Sequence, residues 1–307
     1  SSPGPRFGGP SFWWRMLGLA ASSRTFQPGL TVACTVASIL LKTTPGQSVF
    51  WRWRNVANPP ERLRLDSSSR DRTSDKYLAF DIETANAFPD TADDWRQFRP
   101  LGICCAATLT SDGQQSLWYS RSADGRIANQ LSVGDAQALV AHLQKAVSDG
   151  YVICSWNGLG FDFDILAEES GMYDECRSLA LNHVDMLFHF FCLKGFTVGL
   201  DRVCKAMGLQ GKPMGISGID VPKMWSDGRY EQVLEYVSQD VRATLAIAQA
   251  VKRQRFISWV TRAGAKKEVS IGDWLPPLEA VRVPEPDVSW MKDPWPRSRF
   301  IGWTGYR

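Results

Sequence analysis

The first 60 residues contain no aspartate or glutamate. Scattered arginine, serine, glycine and tryptophan fill them instead. That composition is like that of a mitochondrial or chloroplast transit peptide, and equally of a disordered basic leader or of non-native sequence upstream of the true start. Residues 1–75 are therefore set apart as a leader. They hold ten Lys and Arg against four Asp and Glu, a net +6 within an overall +3, so residues 76–307 carry −3. This excludes a strongly basic nucleic-acid binder in the larger part of the chain. There, any grip on phosphates rests on metal ions and local Lys or Arg.

Long apolar runs are also missing. The stretch Gly29–Leu41 has thirteen residues, too few for a membrane span, and no membrane partner is expected. No internal repeat is present. The seven cysteines show no paired spacing: Cys104 and Cys105 are adjacent, and Cys34, Cys154, Cys176, Cys192 and Cys204 lie apart. This excludes the common zinc patterns and a disulfide framework, and it points to reduced thiols in a cytoplasmic setting, with organellar import if the leader is genuine. Histidine is scarce, and His183 and His189, six apart, would not share a helix face. They are read as structural.

What the chain does have is four carboxylates and a tyrosine in three short windows. The first, Tyr77 to Thr84, reads Tyr-Leu-Ala-Phe-Asp-Ile-Glu-Thr. Its apolar residues suit a buried strand, in which positions i and i+2 point to one side. Asp81 and Glu83 then project together at its end. The second begins with the strand-like run Tyr151–Trp156, is broken by Asn157-Gly158-Leu159-Gly160, and continues into a helix whose first turn holds Asp162, where the helix dipole favours an anion. Asp164 in the same turn is read as a residue that merely stabilises its own helix. The third lies on a long helix from about Arg229 to Arg253, where Tyr236 and Asp240, four apart, share a face. Singly, each window has a plain structural explanation: an acidic strand end, a helix-start acid, a boundary residue. Carboxylates gathered at one point repel unless cations neutralise them. Oxygen ligands of this kind suit magnesium or manganese, and so phosphoryl chemistry on a nucleic acid.

Asp-x-Glu, Asn-x3-Phe-Asp and Tyr-x3-Asp, in that order, resemble the DEDD superfamily of 3′→5′ exonucleases, in the branch with tyrosine in the third motif. The wording Phe-Asp-Ile-Glu-Thr and Asn-Gly-Leu-Gly-Phe-Asp is most like the exonuclease domain of family-B DNA polymerases and its stand-alone bacterial relatives. The resemblance covers about residues 76–255. It implies an α/β, ribonuclease-H-like fold, with a mixed five-stranded sheet flanked by helices. It also implies two divalent ions, Mg2+ or Mn2+: Asp81, Glu83 and Asp240 would hold one, Asp81 would bridge to the second, and Asp162 would reach that one directly or through water. Tyr236 would orient the attacking water, Asn157 and Phe161 would shape the pocket for the terminal nucleotide, and the backbone near Thr84 would contact its sugar. The activity implied is release of nucleoside monophosphates from the 3′ ends of single-stranded DNA or RNA, with DNA favoured. An exoribonuclease resembling ribonuclease D and a non-catalytic nucleic-acid-binding module are the alternatives.

The intervening sequence fits such a domain. Leu101–Leu109 and Gln115–Tyr119 read as strands joined by an Asp112-Gly113 turn. A helix is expected over Ser132–Ser148, another over Met186–Leu193 started by Asp185, and a third over Leu200–Leu209 with Gly208 at its end. Residues 256–307 are set apart as a Pro- and Trp-rich tail that packs its aromatics across the domain surface; stacking of its tryptophans on unpaired bases is the other reading.

Overall fold

The computed structural model describes residues 76–89, 92–211 and 216–306. The expectations for residues 1–75, including Gly29–Leu41 and Cys34, lie outside them. In chain order the elements are β1 (Tyr77–Thr84), β2 (Ile103–Thr110), β3 (Gln115–Trp118), α1 (Val133–Ser148), β4 (Val152–Ser155), α2 (Asp162–Ser170), α3 (Tyr173–Asn182), β5 (Val184–Asp185), α4 (Met186–Lys194), α5 (Leu200–Met207), α6 (Val221–Ser226), α7 (Tyr230–Gln254), β6 (Phe256–Val260), β7 (Lys266–Ser270), α8 (Pro277–Ala280) and α9 (Ser298–Ile301). Among the described residues no helix is long and apolar enough to cross a membrane.

Strands β3-β2-β1-β4-β5 form one mixed sheet. β1 runs antiparallel to β2 and parallel to β4, and β4 runs parallel to β5. Parallel neighbours need a crossover; α1 supplies the first, and α2 with α3 the second. Strand alternation in β1 divides the core. Leu78, Phe80 and Ile82 face a cluster with Leu139, Val140 and Leu143 of α1 and Phe163 and Leu166 of α2. Tyr77 and Ala79 face the other way, into a cluster with Val233, Tyr236, Val237 and Val241 of α7. Asp81 and Glu83 continue this second row, so the strand's own pleat aims both acids at α7.

β2 presents small side chains to α7. Its register against β1 shifts between Glu83 and Thr84, which pair with Cys105 and Ile103, leaving Cys104 as the extra residue. The bulge turns Cys104 and Cys105 to the same face. With Ala107 they let α7 approach the sheet closely. All six described cysteines are buried and reduced.

Several element ends differ from expectation by a residue or two. α1 starts at Val133 because Ser132 caps it, its hydroxyl accepting from the Asp135 N–H. The tail does more than cover the surface. Residues 256–270 form the β6–β7 hairpin, Trp274, Phe300 and Ile301 are buried, and only some of the tail's aromatics, Trp290 and Trp295 among them, stand exposed.

Candidate active site

Carboxylate oxygens of Asp81, Glu83 and Asp240 lie within 4.8 Å of one another. Each element contributes for its own reason. β1 supplies two acids from one side of its pleat. α7 turns Val233, Tyr236, Val237, Asp240, Val241 and Thr244, at three- and four-residue spacing, toward the sheet. Glu83 and Asp240 are buried and Asp81 half-buried. Three acids this close are unfavourable without a cation. Mg2+ holds oxygens at about 2.1 Å, so that opposed ligands stand about 4.2 Å apart. The donor type and spread of this group fit such an ion.

Asp162 lies outside that trio but belongs to the same strand end. Its Oδ1 accepts the backbone N–H of Ile82 at 3.0 Å. Burial pushes its carboxyl up to about 7, and the charges of Asp185 and Asp240 add to this; hydrogen bonds from the Ile82 and Asp162 N–H groups oppose it. The strand therefore carries Asp81 and Glu83 on the α7 side, while α2 brings Asp162 to its edge.

The loop before α2 is held from several directions. Asn157 adopts a left-handed φ of 81°. Asp185 accepts the N–H groups of Asn157 (3.1 Å), Leu159 (2.8 Å) and Phe188 (2.9 Å); the first two tie the loop and the third caps α4. Burial raises the Asp185 carboxyl to about 6. The Trp303 indole N–H donates to the Leu159 carbonyl at 2.6 Å. From sequence, Asp185 is a helix starter only. Its hold on the loop spans 26–28 residues and has no local signal.

A cleft of about 260 Å³ opens beside Glu83. Thr84, Ala87 and Phe88 form one wall, Phe161 another, and Ser217, Gly218, Ile219 and Pro222 the third. Of the residues expected to meet a nucleotide, Thr84 and Phe161 line this cleft, while Asn157 sits in the tied loop and is not among its lining residues. Tyr236 is buried with its phenol oxygen at the cleft margin: a Cβ placed on Gly218 would stand 3.8 Å from it. Phe88 and the Ser217–Pro222 wall were not anticipated, because no periodic pattern marks a loop wall.

Behind Phe161 stands a second layer. Trp95 meets it edge-on at 5.0 Å, and the guanidinium groups of Arg96 and Arg99 lie 4.7 and 5.0 Å from the Trp95 ring. Both arginines close on Asp164, Arg96 through Nε at 2.7 Å. Asp164 is thus structural, as read, but for more than its own helix. Asp164→Ala should strand two quarter-exposed cations. A loss of about 2–3 kcal/mol in a urea melt is expected, below the range for fully buried pairs because the arginines can rehydrate. Parent-like stability would mean the cluster is solvent-screened. His183 and His189 are buried, each held down to about 4 by desolvation. His183 bonds Ser155 Oγ at 2.8 Å, which fits a structural role.

Residues 116–252 match the family model of the ribonuclease H superfamily. Together with the strand order, this defines a ribonuclease-H-like α/β fold. The resemblance to the DEDD exonucleases drawn from the three motifs agrees with that superfamily. No curated protein matches the sequence. Among solved structures the chain is similar to the family B DNA polymerase from the hyperthermophilic archaeon Pyrobaculum calidifontis, at 23% identity and a TM-score of 0.42, over 57% of this chain and 24% of that one. It is also similar to E. coli exonuclease I in a zinc-bound complex with single-stranded DNA, at 16% identity and a TM-score of 0.31, over 59% and 41% of the two chains. The same enzyme with a dT13 oligonucleotide gives 17% identity and a TM-score of 0.30, over 59% and 42%. The chain thus spans about a quarter of the polymerase and less than half of exonuclease I.

Proposed function

We propose that this chain is a metal-dependent 3′→5′ exonuclease that releases nucleoside monophosphates from single-stranded nucleic acid, DNA more readily than RNA. The observation that carries the proposal is the convergence of Asp81, Glu83 and Asp240 at the end of β1, with Asp162 bonded to the same strand and an open cleft alongside. These four carboxylates would hold two Mg2+ or Mn2+ ions. Such ions acidify an attacking water and stabilise the departing 3′-oxygen. The chain's own groups do the rest. The walls of Thr84, Phe88 and Phe161 receive the terminal nucleotide, and the narrow cleft admits a strand end frayed from any duplex. The role of the Tyr236 phenol is to orient the water by hydrogen bonding.

The direct test uses 5′-labelled single-stranded DNA and RNA of matched sequence with Mg2+ or Mn2+, against EDTA. Ladders shortening from the 3′ end are expected, faster on DNA. No degradation of either polymer with both metals would overturn the proposal. Tyr236→Phe keeps the ring and removes one hydrogen bond, a loss of about 1–3 kcal/mol, or roughly tenfold to a hundredfold in rate. The half-saturating manganese concentration should stay within about twofold of the parent. Full activity, or loss as complete as that of Asp240→Asn, would remove Tyr236 from this role.

A further inference from the structure

Residues 252–267 carry six Lys and Arg and no Asp or Glu, inside a segment, residues 76–307, whose net charge is −3. Two of the six have a structural use: Lys252 and Arg255 both reach Asp273. Arg253, Arg262, Lys266 and Lys267 are exposed, and among the described residues none of these four forms a salt bridge. Arg262, Lys266 and Lys267 lie on the hairpin, where Glu268 is the one acid, and Arg253 lies in the last turn of α7, where the helix dipole favours a cation.

The surroundings give these cations a direction. α5 packs on β6 and buries Leu200, Val203 and Cys204, while Arg202 and Lys205 face outward. Beyond α5, the Gly211 carbonyl accepts from Gln239 Nε2 at 3.2 Å, next to Asp240 in sequence, and Ser217–Ile219 then wall the cleft. α5, whose outer face also exposes Asp201, therefore links the β6–β7 hairpin to the part of α7 that carries Asp240. Trp290 is 67% exposed. It stands 6.1 Å from Phe196, which stands 6.1 Å from Trp259 of β6. An open indole is what stacking on an unpaired base requires.

We propose that the β6–β7 hairpin, continued by the outer face of α5, is a docking strip for the phosphate backbone of a single strand whose 3′ end lies in the cleft. This deepens the exonuclease proposal and rests on it. The fourteen residues from Asp240 to Gln254 along α7 span about 20 Å. That is about six phosphates at the stacked spacing of ~3.4 Å, and fewer in an extended strand. The strip therefore acts on strands longer than a few nucleotides and leaves shorter ones untouched.

The test compares the full chain with its triple variant Arg262→Gln, Lys266→Gln, Lys267→Gln. Binding of 5′-labelled oligothymidylates of about 4 and about 12 nucleotides is followed by fluorescence anisotropy in EDTA between ~50 and ~200 mM salt. The parent is expected to hold the longer strand at least tenfold more tightly. The variant should lose most of that preference, and its salt slope for the longer strand should fall by about 1.4, from Arg262 and Lys267 at ~0.7 each on a single strand, since Lys266 alternates to the other face of β7. Affinity for the short strand, and its hydrolysis with Mn2+, should match the parent. An unchanged length preference and slope would overturn the strip, as would equal loss of affinity for both lengths. A parent that hydrolyses nothing would fail the exonuclease proposal instead, while the anisotropy comparison decides the strip separately.

Discussion

Asp240→Asn is expected to lower the rate of 3′-end hydrolysis by roughly 10³-fold, the equivalent of about 4 kcal/mol of lost charge stabilisation in the transition state. The amide keeps the shape of the carboxylate and its place on α7, but it withdraws one of three anionic oxygens from the end of β1. The apparent affinity for Mn2+ should weaken in parallel. Without metal the same substitution should not lower the melting temperature, because it relieves repulsion among Asp81, Glu83 and Asp240 and on Asp162. A variant that melts well below the parent would make the acid structural, and one that keeps its rate would place the reaction elsewhere.

At pH 8 in EDTA, Asp162→Asn should be more stable than the parent by up to about 4 kcal/mol. Its amide oxygen can still accept the Ile82 N–H. The carboxyl is raised to about 7 in the folded protein, by burial above all, against about 3.9 in an unfolded chain. A group shifted upward is protonated in the folded state while the unfolded chain already ionises. Its contribution is complete below about pH 4 and is lost as pH rises toward 7. The gap between variant and parent should therefore widen from pH 5 to pH 7 and level off above, as read in urea melts at each pH. Saturating Mg2+ should narrow it by stabilising the parent. A variant less stable than the parent at pH 8 without metal would show that the ionised form is the one the fold favours.

The parts of this molecule that declare themselves in sequence are those whose cause is local. The pleat of β1 fixes that Asp81 and Glu83 point together, and the turn of α7 fixes that Tyr236 and Asp240 do. The break Asn157-Gly158-Leu159-Gly160 before a helical run marks where Asp162 must fall. Hidden from such reasoning are the contacts closed by the tertiary fold. Arg96 and Arg99 reach Asp164 across more than 60 residues of chain, and a surface arginine in a loop looks the same whether or not it has such a partner. The third wall of the cleft is irregular, and its apolar members, Ile219 and Pro222, resemble any loop. In the tail the prolines begin at Pro276, and ahead of them the short alternation Ile257, Trp259 lets residues 256–270 pair as a hairpin and bury one face.

One bond described above bears on the order in which the molecule can be assembled. The hydrogen bond from Trp303 to the Leu159 carbonyl links positions 144 residues apart, whereas β1 meets β2 across an eighteen-residue connection, 85–102. Closing a long segment carries a larger entropic cost, and a ribosome delivers the chain from its amino end. The sheet can therefore form while the loop that presents Phe161 and Asp162 still lacks its last tie. In a chain delivered from its amino end Trp303 is the last of the loop's partners to emerge, and its bond to Leu159 completes the bracing of that loop.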